Sequence, residues 1–388
     1  MSEAVDRLRR PDGGRPRVLI AGGGVAALEA LLALHRRLHG GAELTLLAPA
    51  ETFAYRPLAA AAPFNGEPIP TLPLSDVAAE HDATLVQDAL VAVDPVARIA
   101  SLAGGGTLPY DALLVATGAV PQPVAPGAIP LSGPADVPAL TALVERVRSG
   151  DARRVAFAVA PGIGWTLPLY EVALQLGMER APDGERPRLV LVTAEEEPLA
   201  AFGPDVAMEV LELLQGHGVD VYTASTVDAF EDGVLWLEFE GAVDVDALVA
   251  MPRLRGPAIA GLPHDEDGFV PVDRVARVAG IEHVYAAGDA CAFRLKQGGL
   301  AAQEADVAAA HIAWTLGAGP RPEPLDLVLR GELLTGAAPR FLRTRIARHG
   351  EEHDPGQASR EPLWWPAAKI AARELGPYLA GRLSNAIR

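Results

Sequence analysis

Residues 17–30, RVLIAGGGVAALEA, place a short apolar run directly before three glycines and the start of a long segment rich in leucine and alanine. The run predicts a buried strand, and the segment after the glycines predicts a helix. Gly22 permits a tight turn, and Gly24 lets backbone N–H groups approach a pyrophosphate. Ala26 and Ala27 follow as small residues, and Ala27 in place of a third glycine still allows the helix to pack closely on the strand. The stretch therefore predicts a dinucleotide site, with a purely structural turn as the alternative.

The second strand carries a weaker form of the same pattern. An acidic residue is expected about 20 residues beyond the glycines, where it contacts a ribose hydroxyl. The predicted strand at residues 43–47 is followed by Ala48, and Glu51 is the nearest carboxylate. Glu51 is therefore the candidate for the ribose-binding acid.

Composition excludes several classes of function. The chain has 388 residues, enough for two or three domains, and no apolar run approaches the roughly 18 residues of a spanning helix. The 50 acidic and 33 basic residues give a net charge of −17, which argues against nucleic acid as a partner. Residues 1–17 lack the apolar core of a secretory signal, so a cytoplasmic location is expected.

Two later segments turn the glycine pattern into a family resemblance. They are YDALLVATGA at residues 110–119 and VYAAGDA at residues 284–290. Together with the first glycine turn they resemble the pyridine nucleotide-disulfide oxidoreductase superfamily, which implies an FAD-dependent oxidoreductase. By this resemblance Thr117 and Gly118 close the first half of the FAD domain, and Asp289, between Gly288 and Ala290, contacts the ribityl and pyrophosphate part of FAD. A turn or cap residue is the alternative for Asp289.

The tract that follows, FRLKQGGLAAQEA at residues 293–305, resembles the flavin-facing helix of the same superfamily. Gly299 and Leu300 lie near its start and are candidates for flavin contact. Lys296 is the candidate catalytic residue, because a nearby cation stabilises negative charge on the N1 and C2-carbonyl edge of reduced flavin. A solvated surface lysine is the alternative for Lys296.

Within the superfamily, the chain looks closest to the branch that holds sulfide:quinone oxidoreductase and type II NADH dehydrogenase. The grounds are FAYRPL at residues 53–58, which contains Arg56, and a C-terminal extension in place of a long dimerisation domain. The resemblance implies an α/β fold with two Rossmann-like dinucleotide-binding domains, the FAD/NAD(P)-binding fold. The expected division is an FAD domain at residues 17–150 and 251–320, an NAD(P)-binding-like domain at residues 151–250, and an extension at residues 321–388.

A second glycine turn, PGIGWTLPLYEVA at residues 161–173, follows a predicted strand at residues 153–160. Gly162 and Gly164 keep the first two glycines, but Leu167 stands where a small residue is expected. Trp165 and two prolines add bulk or remove N–H donors beside the pyrophosphate position. The nicotinamide site is therefore either open or filled, and the bulk favours a filled site.

If the second site is open, two carboxylates are candidates for nicotinamide binding. Glu195 follows the next predicted strand and is placed to meet a ribose diol, which favours NAD over NADP. Glu171 lies in the helix that begins after the second turn. The donor would then be NAD(P)H and the acceptor a small molecule such as a quinone. The alternative is a flavin- or nucleotide-binding regulator or electron-transfer scaffold without turnover.

Cys291 is the only cysteine, which excludes an internal disulfide and the cysteine relays of sulfide oxidation and disulfide reduction. A small packing residue near the flavin is the predicted role, and a flavin adduct is the alternative. His311, His349 and His353 lack metal-ligand spacing, so no metal is expected.

The extension has its own polarity, with nine basic and five acidic residues from Arg340 to Arg388. A helical stripe runs through Ala371, Leu375 and Leu379, and Trp364 and Trp365 precede it. One interpretation is peripheral docking at the inner face of the membrane, where such rings are favoured. The other, which we prefer, is packing of the stripe on the flavin domain or on a second subunit in a homodimer.

Overall fold

The computed structural model describes residues 13–238, 241–346 and 354–383. Its first sheet is fully parallel and has the short N-terminal strand at its centre. In spatial order its strands are Val284–Ala286, Ala112–Val115, Arg17–Ala21, Glu43–Leu47 and Ala83–Val86. A parallel sheet is covered on both faces, which explains why these strands are almost continuously apolar.

The two faces of the first sheet are covered differently. Val18 and Ile20 face the first helix, Val25–Leu38, and the flavin-facing helix, Gly298–Thr315. Leu19 and Ala21 point the other way. That second face packs against a small antiparallel sheet of strands Leu90–Asp94, Ile99–Leu102 and Thr107–Pro109.

The second sheet is also parallel and five-stranded. In spatial order its strands are Ile129–Pro130, Ala247–Met251, Arg154–Val159, Arg188–Thr193 and Val219–Tyr222. Its helices are Val137–Ser149, Leu167–Leu176 and Pro204–Gly216. An antiparallel sheet of strands Val227–Glu231, Val234–Leu237 and Gly241–Asp244 covers the other face. Strand Ile129–Pro130 pairs with this second sheet, although the division expected from the sequence placed it in the FAD domain.

The C-terminal extension joins the two halves of the molecule. Its antiparallel strands are Val328–Leu333, Arg340–Arg345 and Gln357–Ser359. They bury Leu329 and Leu333 in the second core, the apolar cluster around the second sheet. The C-terminal helix, Leu375–Arg382, buries Leu375 and Leu379 against the first helix. The apolar stripe therefore packs inside this chain.

The remaining elements are short connections. They are the strand pairs Thr52–Ala54 with Thr71–Pro73 and Val120–Pro121 with Leu254–Arg255, the helices Ala62–Asn65 and Leu74–Glu80, and the 3-10 turns Arg56–Ala60, Pro134–Asp136, Ala200–Phe202 and Gly288–Ala290. Among the described helices, none combines the length and the apolar character needed to cross a bilayer.

Candidate functional site

One large cavity of about 930 Å³ lies where the two sheets and the extension meet. Both glycine turns border it, together with most of the candidate residues. The candidates on its wall are Gly22, Gly24, Ala26, Arg56, Thr117, Gly118, Gly288, Asp289, Lys296, Gly162, Gly164 and Glu171. The volume lies at the upper end of the range of small-molecule and cofactor sites.

Six candidates lie off the cavity wall. Ala27, Ala290 and Leu300 are fully buried in the cores beneath it, where they support the turns by packing. Gly299 lies under the Gln297 side chain. Glu51 is exposed and accepts a hydrogen bond from Gln87 Nε2 at 3.4 Å, and Glu195, the sixth, is described below.

The first glycine turn combines a steric requirement with an open cradle. Gly22 has φ +140°, and a Cβ built on it would lie 2.0 Å from the carbonyl oxygen of Ala116. Only glycine lets these two strand ends approach so closely. A Cβ on Gly24 would meet nothing within 4 Å, so its side is open to the cavity. An open glycine at the start of a 14-residue helix fits the pyrophosphate of a dinucleotide.

The Gly288–Ala290 turn is hydrogen-bonded to a buried carboxylate that belongs to none of the motifs described above. Glu304, on the flavin-facing helix, is 4% exposed and accepts a hydrogen bond from the Gly288 N–H at 2.7 Å. Burial raises the pKa of Glu304 to about 7. Gly288 itself has φ +74°, and a Cβ there would lie 3.2 Å from the Cβ atoms of Ala26 and Ala301. The crossing of two helices therefore requires glycine at this position.

Two cationic side chains, Lys296 and Arg56, lie near the Asp289 carboxyl. Burial raises the pKa of this carboxyl, and Lys296 and Arg56 oppose the shift. Lys296 lies 3.7 Å from the ring centroid of Phe269 and donates a hydrogen bond to the Cys291 carbonyl oxygen. Burial lowers the pKa of Lys296. The ammonium group is thus a partly buried cation on the cavity wall.

The second glycine turn differs from the first in which glycine is covered: Gly164 is covered, whereas Gly24 is open. A Cβ on Gly164 would lie 2.2 Å from the carbonyl oxygen of Arg294, which belongs to the loop before the flavin-facing helix. The Trp165 ring packs at 5.9 Å from the Phe202 ring centroid. The backbone at Arg294 therefore lies against the turn, and Trp165 both lines the cavity and packs near Phe202.

Glu195 lies beside the second turn but bonds to its own surroundings. Its carboxylate accepts hydrogen bonds from the hydroxyls of Tyr170 at 2.8 Å, Thr193 at 3.0 Å and Thr166 at 3.2 Å. Burial raises its pKa. A ribose diol would have to compete with these three hydroxyls for the carboxylate.

The extension contributes the opposite end of the cavity. Lys369 Nζ lies 2.5 Å from Glu171 Oε1, and the two side chains are 7% and 1% exposed. Glu332 and Ile370 border the same region, and the Ile370 N–H donates to Tyr55 Oη at 3.3 Å. Neither Lys369 nor Glu332 belongs to a motif that is visible in the sequence. A usable signal existed for the first, because Lys296 and Lys369 are the only lysines in the chain and both line the cavity.

Cys291 is fully buried and lies off the cavity wall, and burial raises the pKa of its thiol. His311 Nδ1 lies 2.8 Å from Tyr285 Oη on the far side of the flavin-facing helix. His349 and His353 lie outside the described residues. Within those residues, no cluster of His, Cys, Asp or Glu could hold a metal ion.

Two parallel sheets, each with a glycine turn that borders one cavity, are the arrangement of the class of proteins that bind two dinucleotides. Comparison with known families agrees. A family model described as pyridine nucleotide-disulphide oxidoreductase matches residues 16–311, and the chain belongs to this family. It is therefore an FAD-dependent oxidoreductase, as the sequence motifs predicted.

Individual relatives are more distant. An NADH dehydrogenase-like protein of Mycobacterium tuberculosis is 26% identical over 294 residues, covering 72% of this chain and 74% of the relative. The demethylphylloquinone reductase NdbB of Synechocystis sp. is 26% identical over 339 residues, covering 80% and 81%.

Solved structures confirm the predicted fold. The sulfide:quinone oxidoreductase of Aquifex aeolicus superposes with a TM-score of 0.78 at 18% identity, over 89% of this chain and 87% of that one. A ferredoxin reductase from Rhodopseudomonas palustris superposes with a TM-score of 0.67 at 20% identity, over 86% and 83%.

Proposed function

We propose that this chain passes electrons from a reduced nicotinamide nucleotide to a quinone. The observation that carries the proposal is the cavity that both glycine turns and the extension border. Two relatives, an NADH dehydrogenase-like protein and a demethylphylloquinone reductase, support a donor and an acceptor of these classes. FAD, when bound, supplies a two-electron carrier between them.

The first turn and the Gly288–Ala290 turn would hold FAD. Gly24 gives its pyrophosphate access to the N-terminus of the first helix, where unpaired N–H groups favour an anion. Asp289 would accept hydrogen bonds from the ribityl hydroxyls, and Arg56 adds positive charge to the same wall. Lys296 is the proposed catalytic residue, because its ammonium would stabilise negative charge that develops nearby.

The donor has a second candidate. Gly164 lies against the Arg294 carbonyl, and Glu195 is bonded to three hydroxyls of its own domain. A small reductant other than a nicotinamide nucleotide would not have to compete for the Glu195 carboxylate, in line with a filled second site.

An anaerobic titration of the FAD-loaded protein with NADH and then NADPH tests the donor. Saturable bleaching of the flavin band by one nucleotide supports the proposal, and addition of a short-chain benzoquinone should restore the band. Gly162→Val should weaken nucleotide binding, which raises the apparent dissociation constant, without changing the absorption spectrum of the oxidised flavin. If neither nucleotide bleaches the flavin, the nicotinamide part of the proposal is wrong and the second candidate takes its place.

We further propose peripheral contact with the inner face of the cytoplasmic membrane. The helical stripe is buried in this chain, so the candidate contact is Trp365, which is 89% exposed. Amphipathic rings are favoured at headgroup level. Trp365→Ser should lower recovery with anionic vesicles in a flotation assay, with the exposed Trp236→Ser as control. Equal flotation of both variants would contradict the contact, and sedimentation velocity would test the homodimer alternative.

A further inference from the structure

Glu332 is a carboxylate on the cavity wall that has no role in the electron transfer proposed above. It lies on strand Val328–Leu333, whose residues alternate between two environments. Leu329 and Leu333 are buried in the second core, and Glu332 on the other side lines the cavity. Within residues 13–238, 241–346 and 354–383 its carboxylate accepts no hydrogen bond. Burial raises its pKa, and Lys369 opposes the shift.

Three ionisable groups lie close enough to Glu332 for their charges to interact with its carboxyl. Lys369 comes from the extension, Glu171 from helix Leu167–Leu176, and Tyr55 from the position between strand Thr52–Ala54 and turn Arg56–Ala60. Glu171 is already occupied, because Oε1 accepts from Lys369 Nζ at 2.5 Å and from the Leu334 N–H at 2.9 Å. Glu332 is the carboxyl of this group that has its oxygens free.

The same strand is tied to the start of the flavin-facing helix. Gln297 Nε2 donates to the Arg330 carbonyl oxygen at 3.1 Å, and its Oε1 accepts from the Leu300 N–H at 2.8 Å. A Cβ on Gly298 would lie 3.6 Å from Ile370. Glu332 is therefore fixed beside the helix end that borders the cavity, on a rigid strand rather than a loop.

We propose that Glu332 is the proton donor to the quinone at the extension's end of the cavity. This inference rests on the proposed function. Reduction of a quinone to a hydroquinone takes two electrons and two protons. The reduced cofactor supplies both electrons and one proton, and the Glu332 carboxyl gives its proton to a carbonyl oxygen. The O–H bond of Glu332 breaks, an O–H bond forms on the product, and the carboxylate is reprotonated from water.

Protonation by a positioned acid typically accelerates a reaction about 10²-fold or more. Glu332→Gln keeps the shape of the side chain and removes the proton. After anaerobic reduction with dithionite, the variant should be reoxidised by a short-chain benzoquinone at least about 10²-fold more slowly than the parent. In the parent, the rate should fall as the pH rises and Glu332 deprotonates, and the variant should lack this limb. Glu323→Gln, an exposed carboxylate of the same extension, is the matched control.

Infrared spectroscopy gives a readout that does not depend on turnover. The parent should show a protonated-carboxyl band that titrates and is absent from Glu332→Gln, while bound FAD and thermal unfolding are unchanged. If Glu332→Gln matches the parent in rate, pH profile and infrared spectrum while the parent reduces quinone, the inference is overturned and the proposed function stands. A parent that does not react with quinone overturns both.

Discussion

Gly22 and Gly24 are two residues apart, yet substituting them should have different consequences. A substitution at Gly22 should lower the stability of the fold, and one at Gly24 should weaken FAD binding. A Cβ on Gly22 would lie 2.0 Å from the Ala116 carbonyl oxygen, so the two strand ends would have to move about 1.4 Å apart to reach the ordinary contact of 3.4 Å. That movement would stretch the hydrogen bond from the Ala116 N–H to the Ala21 oxygen, which is 2.7 Å long. Gly24 has φ −95° and open space beside it.

The magnitudes follow from these contacts. For Gly22→Ala, overpacking costs about 1–3 kcal/mol, the hydrogen bond about 1 kcal/mol and the backbone strain about 1–2 kcal/mol, so we expect a loss of roughly 3–6 kcal/mol. At an unfolding entropy of about 2.1 cal/mol/K per residue, this corresponds to a fall in Tm of roughly 4–7 °C for the 388-residue chain. Gly24→Val should change the stability of the FAD-free protein by less than about 1 kcal/mol. It should weaken FAD binding at least about 100-fold, because the side chain occupies the space that the pyrophosphate needs.

Both effects are measurable on the same preparations. Differential scanning calorimetry of FAD-free protein gives the stability change, and a fluorescence titration with FAD gives the dissociation constant. If Gly24→Val binds FAD as tightly as the parent, the pyrophosphate does not lie at this turn. If Gly22→Ala has the Tm of the parent, the steric reasoning is wrong.

Three further predictions concern the extension, the thiol and pH. Lys369→Met leaves the buried Glu171 carboxylate unpaired, so urea unfolding should show a loss of about 3–5 kcal/mol, and an unchanged midpoint would refute the pair's importance. Cys291→Ser should keep the stopped-flow rate of flavin reduction within roughly tenfold of the parent, about 1.4 kcal/mol in barrier; complete inactivation with FAD still bound would assign the thiol a chemical role. Burial raises the pKa of Glu29 from 4.5 to about 7, so the folded protein binds this proton more tightly than the unfolded chain. The resulting stabilisation, about 3 kcal/mol, is complete below about pH 4.5 and is lost as the pH rises through 7. In urea unfolding, Glu29→Gln should flatten this dependence, and a slope equal to the parent's would count against it.

The parts of the site that could be predicted from the sequence are short and contiguous. A strand, a glycine turn and a helix start occupy neighbouring residues, so their backbone geometry is encoded locally, as at Gly22 and Gly24. The Gly288–Asp289 pair is equally local. These motifs identified the family and the fold because each fixes how one strand passes into the next element.

Residues whose role depends on distant contacts could not be predicted in this way. Lys369 meets Glu171 across 198 positions of sequence, and the Glu29 carboxylate accepts the Leu375 N–H across 346 positions. Glu29 thus caps the C-terminal helix from the first helix, which no periodicity of either segment reveals. The helix begins at Leu375, and Glu29 accepts the N–H groups of Arg373, Glu374 and Leu375 at this end, where N–H groups have no partner within the helix.

The second glycine turn shows a different limit. Its bulky Trp165 predicted a filled site, and Trp165 does line the cavity, but the sequence did not show that the Arg294 backbone, from a loop about 130 residues further along the chain, also lies against Gly164. A side chain's volume is visible in a sequence, whereas the direction in which it packs depends on the core around it. Here the Trp165 indole packs near the Phe202 ring.

If the cavity between the two sheets holds FAD, the purified protein should contain flavin, and its flavin content can be measured. The absorption spectrum is recorded, the protein is denatured, and the released cofactor is quantified against the protein concentration. We expect a yellow protein that releases stoichiometric, non-covalently bound FAD, and an Asp289→Ala variant that folds but retains much less of it. A colourless protein that takes up no added FAD would show that the cavity does not hold this cofactor.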